Sequence, residues 1–183
     1  MTTGVGHALP GQVQLFGEGI ALRDWDESDL PAMVELFDDP EIGRWTPLPL
    51  PFDAEAARDH LVRGRDGRSA NRFLQLAVVT EAGEPCGEAL VVWEGEDRRE
   101  AELGYCIGAR FRRRGLASRA LRVLTGHAHR EWGVQRALLR IEPENAGSVA
   151  VARAAGYRLT EDPPVHREIK GRLSALRTWR YDG

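Results

Sequence analysis

Arg110, Arg112, Arg113 and Arg114 place four guanidinium groups within five residues, directly ahead of Gly115. The stretch beyond that glycine reads as a helix. Leu116, Ala120, Leu121, Leu124, Ala128 and Trp132 recur at helical spacing until Gly133 stops the run. The first turn of a helix leaves backbone N–H groups without partners, and its dipole turns a partial positive charge outward. Entered through a glycine turn and reinforced by arginines, such an end is an anion site suited to a phosphate. About thirty residues further on, Asn145-Ala146-Gly147-Ser148 brings an amide and a hydroxyl to the start of a short helix that ends at Gly156-Tyr157. Ahead of the turn, Leu103, Tyr105 and Ile107 alternate with Glu102, Gly104 and Cys106, which is the period of a strand. Glu102 adds to that strand a carboxylate capable of proton transfer.

Taken together, these motifs resemble the GCN5-related N-acetyltransferase (GNAT) superfamily. Arg112-x-x-Gly115-x-Ala117 fits its Arg/Gln-x-x-Gly-x-Gly/Ala pyrophosphate turn. The stretch from Asn145 to Tyr157 looks like its second signature, in the right order and at the right separation. Leu22-Arg23, the run Asp39-Pro40-Glu41-Ile42-Gly43-Arg44-Trp45, and the closing Lys170-Gly171-Arg172 turn before an aromatic strand resemble one branch, the ribosomal-protein N-terminal acetyltransferases of the RimJ/RimL type. The resemblance covers nearly the whole chain from about Ile20 onward. It implies a single α+β domain with a mixed, mostly antiparallel sheet flanked by helices, whose splayed central strand pair holds the acyl-CoA. The implied reaction moves an acetyl group from acetyl-CoA to a primary amine by direct attack in a ternary complex. The acceptor is a protein N-terminal α-amine or a small-molecule amine.

Such a reaction needs a pyrophosphate cradle, a donor for the thioester oxygen, a neutral amine and a proton for the departing thiolate. By the resemblance, backbone N–H groups of Arg112, Arg113, Arg114, Gly115, Leu116 and Ala117 form the cradle, and the N–H of Ile107 meets the thioester oxygen. Asn145 either hydrogen-bonds the pantetheine or caps its helix. Glu102 is the first candidate base, with an ordinary charged strand residue as the alternative reading. Many members of the superfamily carry a tyrosine acid about seven residues after the motif asparagine; here that position is Ala152. Ser148 is the remaining hydroxyl in the segment, as proton donor or as local cap. Trp45 and Phe52 are candidate acceptor contacts or core aromatics, and Tyr105 lines the acyl pocket or the core.

Other classes fit less well. The net charge of −3 makes the arginine cluster a local feature, which argues against bulk nucleic-acid or membrane binding. His127 and His129 lie two apart on a helix, so they do not share a face, and no metal site is expected. Cys86 and Cys106 lack metal-ligand spacing and are expected to be reduced. With neither a leader pattern nor a membrane-length apolar run, the default location is cytoplasmic. A homodimer is an expectation from the family. A non-catalytic acyl-CoA-binding module and an acyltransferase using a larger donor such as succinyl-CoA stand as alternatives.

These groups need a scaffold. Residues 1–14 read as a loose arm and 15–183 as one domain. Ile20 and Leu22 suggest a first strand, and Asp26 or Ser28 caps a helix that ends by Asp38-Asp39-Pro40. Asp53 caps the next helix. Phe73 to Val79 and Gly87 to Trp93 form a hairpin leading to the central strand, Ala137 to Ile141 is a further strand, and Val165 to Ile169 with Ala175 to Tyr181 closes the chain as a hairpin.

Overall fold

The computed structural model describes residues 9–95 and 97–183. Its sheet starts with β1 (Gln14–Gly17) and β2 (Ile20–Asp24), joined by a two-residue turn at Glu18 and Gly19. Both turn residues have positive φ (56° and 70°), the geometry whose twist suits a tight hairpin. β3 (Phe73–Thr80), β4 (Pro85–Val92) and β5 (Glu100–Ile107) continue the meander, each antiparallel to the one before. The far side consists of β6 (Arg136–Ile141), β7 (Arg158–Leu159), β8 (Val165–Ile169) and β9 (Arg172–Asp182). The strand order is β1-β2-β3-β4-β5-β6-β9-β7, with β8 paired to the first half of β9.

One pairing differs from the others among the described residues. β5 and β6 are parallel, and they pair only from Glu100 to Glu102 against Arg136 to Leu138. Beyond Glu102 they part, while β5 stays in register with β4 through Ile107 and β6 stays with β9 through Ile141. The sheet therefore opens a wedge at its centre, as the sequence resemblance implies.

Among the described residues, five helices cover the sheet: α1 (Leu30–Phe37), α2 (Pro40–Trp45), α3 (Ala54–Ser69), α4 (Leu116–Glu131) and α5 (Ala146–Ala154). α4 buries Leu116, Ala120, Leu121, Leu124 and Ala128 and packs across β1, β2 and β5. Burial of each leucine contributes about 1.5–3 kcal/mol. Beyond its end Gly133 turns left-handed (φ 70°), and the Val134 N–H returns to the Ala128 carbonyl at 3.1 Å, which closes the helix. α1 and α3 pack together, with α3 lying on β3. Phe37 is their hub and makes edge-to-face contacts with Trp25, Phe52 and His60.

Two sequence expectations need correction. The Asp38-Asp39-Pro40 step ends α1 as expected, but the same proline begins α2, because a missing N–H costs nothing in a first turn. Asp39 caps α2 by accepting the Ile42 N–H at 2.9 Å. The loose arm over residues 1–14 falls outside the described residues for its first eight positions. Its remainder is attached: Leu9 packs on the core, Val13 is buried and donates its N–H to Asp24, and Gln14 already pairs in β1.

Candidate active site

The turn after β5 supplies main-chain donors in a curled arrangement. Arg113 (φ 61°) and Gly115 (φ 71°) are both left-handed, a conformation that gathers successive N–H groups to one side. A Cβ built on Gly115 would meet no protein atom closer than Ser118 Oγ at 4.0 Å. Glycine is therefore required here by its φ, and the space in front of it is open. Among the described residues the Arg113, Arg114 and Gly115 N–H groups have no acceptor in the protein, and α4 opens with the Arg119 N–H on Gly115 O at 3.1 Å. Three unpartnered N–H groups gathered in this way are able to donate to an anion.

The arginine side chains contribute less than the sequence suggests. Arg112 is spent on the protein: Nε donates to the Ile107 carbonyl (3.0 Å), Nη1 to Glu41 (2.9 Å) and Nη2 to Asp39 (2.6 Å). Burial works against the charge on Asp39, but Arg112 and the Ile42 N–H outweigh it and hold the carboxyl below its usual range. Arg110 pairs with Glu84 at 2.7 Å, and Arg114 leans over the Phe111 ring and stays off the cleft lining. Arg113 alone of the four borders the cleft with no ion pair among the described residues.

A cavity of ≈ 770 Å³ runs from this turn into the wedge, past Arg113, Gly115, Leu116, Ala117 and Ile107 to Asn145. Sheet geometry orients the Ile107 amide. The Gly108 N–H bonds to Cys86 O at 3.0 Å, and N–H directions alternate along a strand, so that of Ile107 faces the wedge. A second cavity of ≈ 650 Å³ lies on the other side, walled by α3, the loop after α2, and the β8–β9 hairpin. Trp45, Thr46, Tyr105, Cys106, Asn145 and Ser148 border both cavities, so the two meet there.

At that junction Asn145 is the helix cap, its Oδ1 accepting the Ser148 N–H at 3.0 Å. Ser148 is thereby relieved of capping, and its hydroxyl makes no hydrogen bond to the described residues. Tyr105 donates its hydroxyl to the Ser148 carbonyl at 3.3 Å. Burial pushes the Tyr105 phenol up to about 12, so it stays protonated at neutral pH.

Glu102 lines the second cavity, but both of its oxygens are engaged by Arg167, at 2.7 and 2.6 Å. As a base it would first have to leave that bidentate pair. Phe52 is corrected outright: it is 0% exposed, borders neither cavity and packs on Phe37 and His60. Its place as the first residue before the Asp53 cap makes it part of the wall behind the site.

The sequence reading passed over Glu88. This carboxylate lies in β4, is 3% exposed, and accepts from Trp25 Nε1 at 2.9 Å and contacts His60 Nε2 at 2.8 Å. Both Glu88 and His60 line the second cavity. The available signal was a lone acid within the apolar run Ala89-Leu90-Val91-Val92 and its flank; the partner, 28 positions earlier, carries no local mark.

Comparison with known proteins agrees with this fold. Residues 20–158 match the acetyltransferase (GNAT) domain family. The chain is similar to an uncharacterized N-acetyltransferase, p20, from Bacillus licheniformis, with 25% identity across 87% of this chain and 90% of that protein. In fold it is similar to a putative ribosomal-protein-serine acetyltransferase from Vibrio cholerae, with a TM-score of 0.81, 19% identity, and coverage of 93% and 98% of the two chains. It also resembles RimL, a ribosomal L7/L12 α-N-protein acetyltransferase solved with coenzyme A, with a TM-score of 0.80, 19% identity, and 93% and 98% coverage.

Proposed function

Because the chain belongs to the GNAT acetyltransferase family, we propose that it transfers the acetyl group of acetyl-CoA directly to a primary amine, with both substrates bound at once. The observation that carries this reading is the meeting of two cavities at Tyr105, Cys106 and Ser148. A donor entering from the Gly115 turn and an amine entering from the hairpin side converge there without an enzyme-bound intermediate. In such a complex the N–H groups of the turn hold the pyrophosphate, and the Ile107 N–H faces the thioester oxygen, where negative charge grows in the transition state. The attacking amine must be neutral, since a protonated one has no lone pair. Ser148, whose hydroxyl is free at the junction, is the proton donor for the departing thiolate. The acceptor is a protein N-terminal α-amine or a small amine, and relatives named for ribosomal-protein acetylation support the first of these.

Titration calorimetry with acetyl-CoA and succinyl-CoA, followed by mass spectrometry of peptides with free and blocked N-termini, tests the reading. Micromolar acetyl-CoA binding with a gain of one acetyl group on the free N-termini alone is the expected result. Preference for succinyl-CoA would change the donor, and absence of binding to either would overturn the reading.

A further inference from the structure

We infer that Glu88, oriented by His60, receives the ammonium group of the acceptor and removes its proton, an inference that rests on the amine-acylation reading above. Register places Glu88 at the reacting end of the wedge. It pairs across strands with Cys106, the neighbour of Ile107, and directly opposed residues project from the same face of a sheet. Glu102 is four residues earlier on β5, roughly 13 Å back along the strand at about 3.3 Å per residue.

Availability points the same way. Both bonds to Glu88 from Trp25 and His60 fall on Oε2. Oε1 has no hydrogen-bond partner among the described residues, although the side chain lines the cavity. Glu102, by contrast, has both oxygens occupied by Arg167. A carboxylate withdrawn from water is costly unless a cation or several donors face it. Trp25 and His60 satisfy one oxygen, and an acceptor ammonium satisfies the other. The site is thus a built receptor for a primary ammonium group.

The chemistry balances. An N–H bond of the ammonium breaks as its proton passes to Glu88 Oε1, and the freed lone pair attacks the thioester carbon. The C–N bond forms and the C–S bond breaks. A second nitrogen proton replaces the one that the Ser148 hydroxyl gives to the thiolate, so the free thiol forms and the serine is restored, and the third remains on the amide. The proton on Glu88 Oε1 returns to water through the cavity that the side chain lines.

The test compares two acceptors of similar size, ethylamine and 2,2,2-trifluoroethylamine, with acetyl-CoA at pH 7. The first is protonated at that pH and needs a base; the second is neutral. Glu88→Gln is expected to slow acetylation of ethylamine by about 100-fold or more, the usual worth of general base catalysis, and to slow the fluorinated amine by less than about threefold. Glu88→Asp, which keeps the charge but draws it back, should fall between on ethylamine alone, and His60→Gln should show the same selectivity with a smaller loss. Equal losses on both amines, as a merely structural residue would give, or no loss on either, would overturn the inference. Wild-type protein that binds acetyl-CoA but acetylates neither these amines nor a free peptide N-terminus would instead overturn the amine-acylation reading beneath it.

Discussion

The two cavities that meet at Ser148 are built from different materials. The one beneath the turn is main chain: its donors are the N–H groups of Arg113 to Gly115, held by two left-handed residues within a single stretch. The one beneath the β8–β9 hairpin is side chain. Its charged groups include His60, Glu88, Glu102, Arg140 and Arg167, which come from five separate elements. A site of backbone amides tolerates change in the residues that carry it and binds one invariant group. A site of side chains can be retuned one substitution at a time. On the proposed reading the donor lies on the first and the acceptor on the second, so the acceptor is the part that substitution can retune.

This contrast can be broken by experiment. The largest effect expected is in the core behind the side-chain cavity, where Phe52→Ala should cost about 3–5 kcal/mol of stability, as for a fully buried aromatic. Denaturant unfolding would register that loss, while acetyl-CoA affinity of the folded fraction stays near wild type. A large rise in the acceptor KM of the folded protein would put Phe52 back in the acceptor site.

On the main-chain side, Gly115→Val places about 1–3 kcal/mol of strain on the left-handed backbone; the turn is expected to relax and move its donors, with acetyl-CoA affinity by calorimetry falling by up to roughly 150-fold, the equivalent of that strain. Unchanged affinity would mean that the amides of the turn do not hold the ligand.

A pH series separates the regions differently. Arg172 holds the Glu142 carboxyl below its usual range, against the opposing effect of burial, and so fastens the start of β9 to the end of β6. The stability this adds is present above the unfolded carboxylate range near 4 and is lost as pH falls through the lower folded value. Hydrogen exchange between pH 6 and pH 3 should therefore show the hairpin loosening before the Gly115 turn, whose donors do not titrate. Simultaneous loosening would erase the distinction.

The smallest effect is expected from Arg113→Ala with Arg114→Ala, since exposed charges contribute about 0–1 kcal/mol. Cofactor affinity should drop by less than about fivefold, and the difference should fade in high salt.

The same contrast explains what the sequence made legible. The turn and the Asn145 cap are contiguous, so their local geometry could be read from spacing, with the resemblance implying the ligand: a glycine where φ is positive, an acceptor three residues before the N–H it caps. The central strand, α4 and the closing hairpin were readable for the same reason, because periodicity is local. α2 was lost because Pro40 was read as a stop, when a proline can equally open a helix. The fate of Arg112 could not be read, since its partners Asp39 and Glu41 lie more than seventy positions away. Nor could that of Glu102, whose partner Arg167 is 65 positions further on. Glu88 and His60 failed on the same ground. A buried charge is defined by its partner, and only the fold supplies the partner.

One contact on the hairpin gives the molecule a built-in reporter. Lys170 is the only lysine in the chain, and at the hairpin tip its ammonium group donates to the Gly43 carbonyl of α2 at 2.6 Å. An amine-directed label or a lysine-specific protease therefore has one side-chain target, and that target sits on the hairpin that straps the second cavity to α2. The rate at which Lys170 is labelled or cut measures how often the strap lifts.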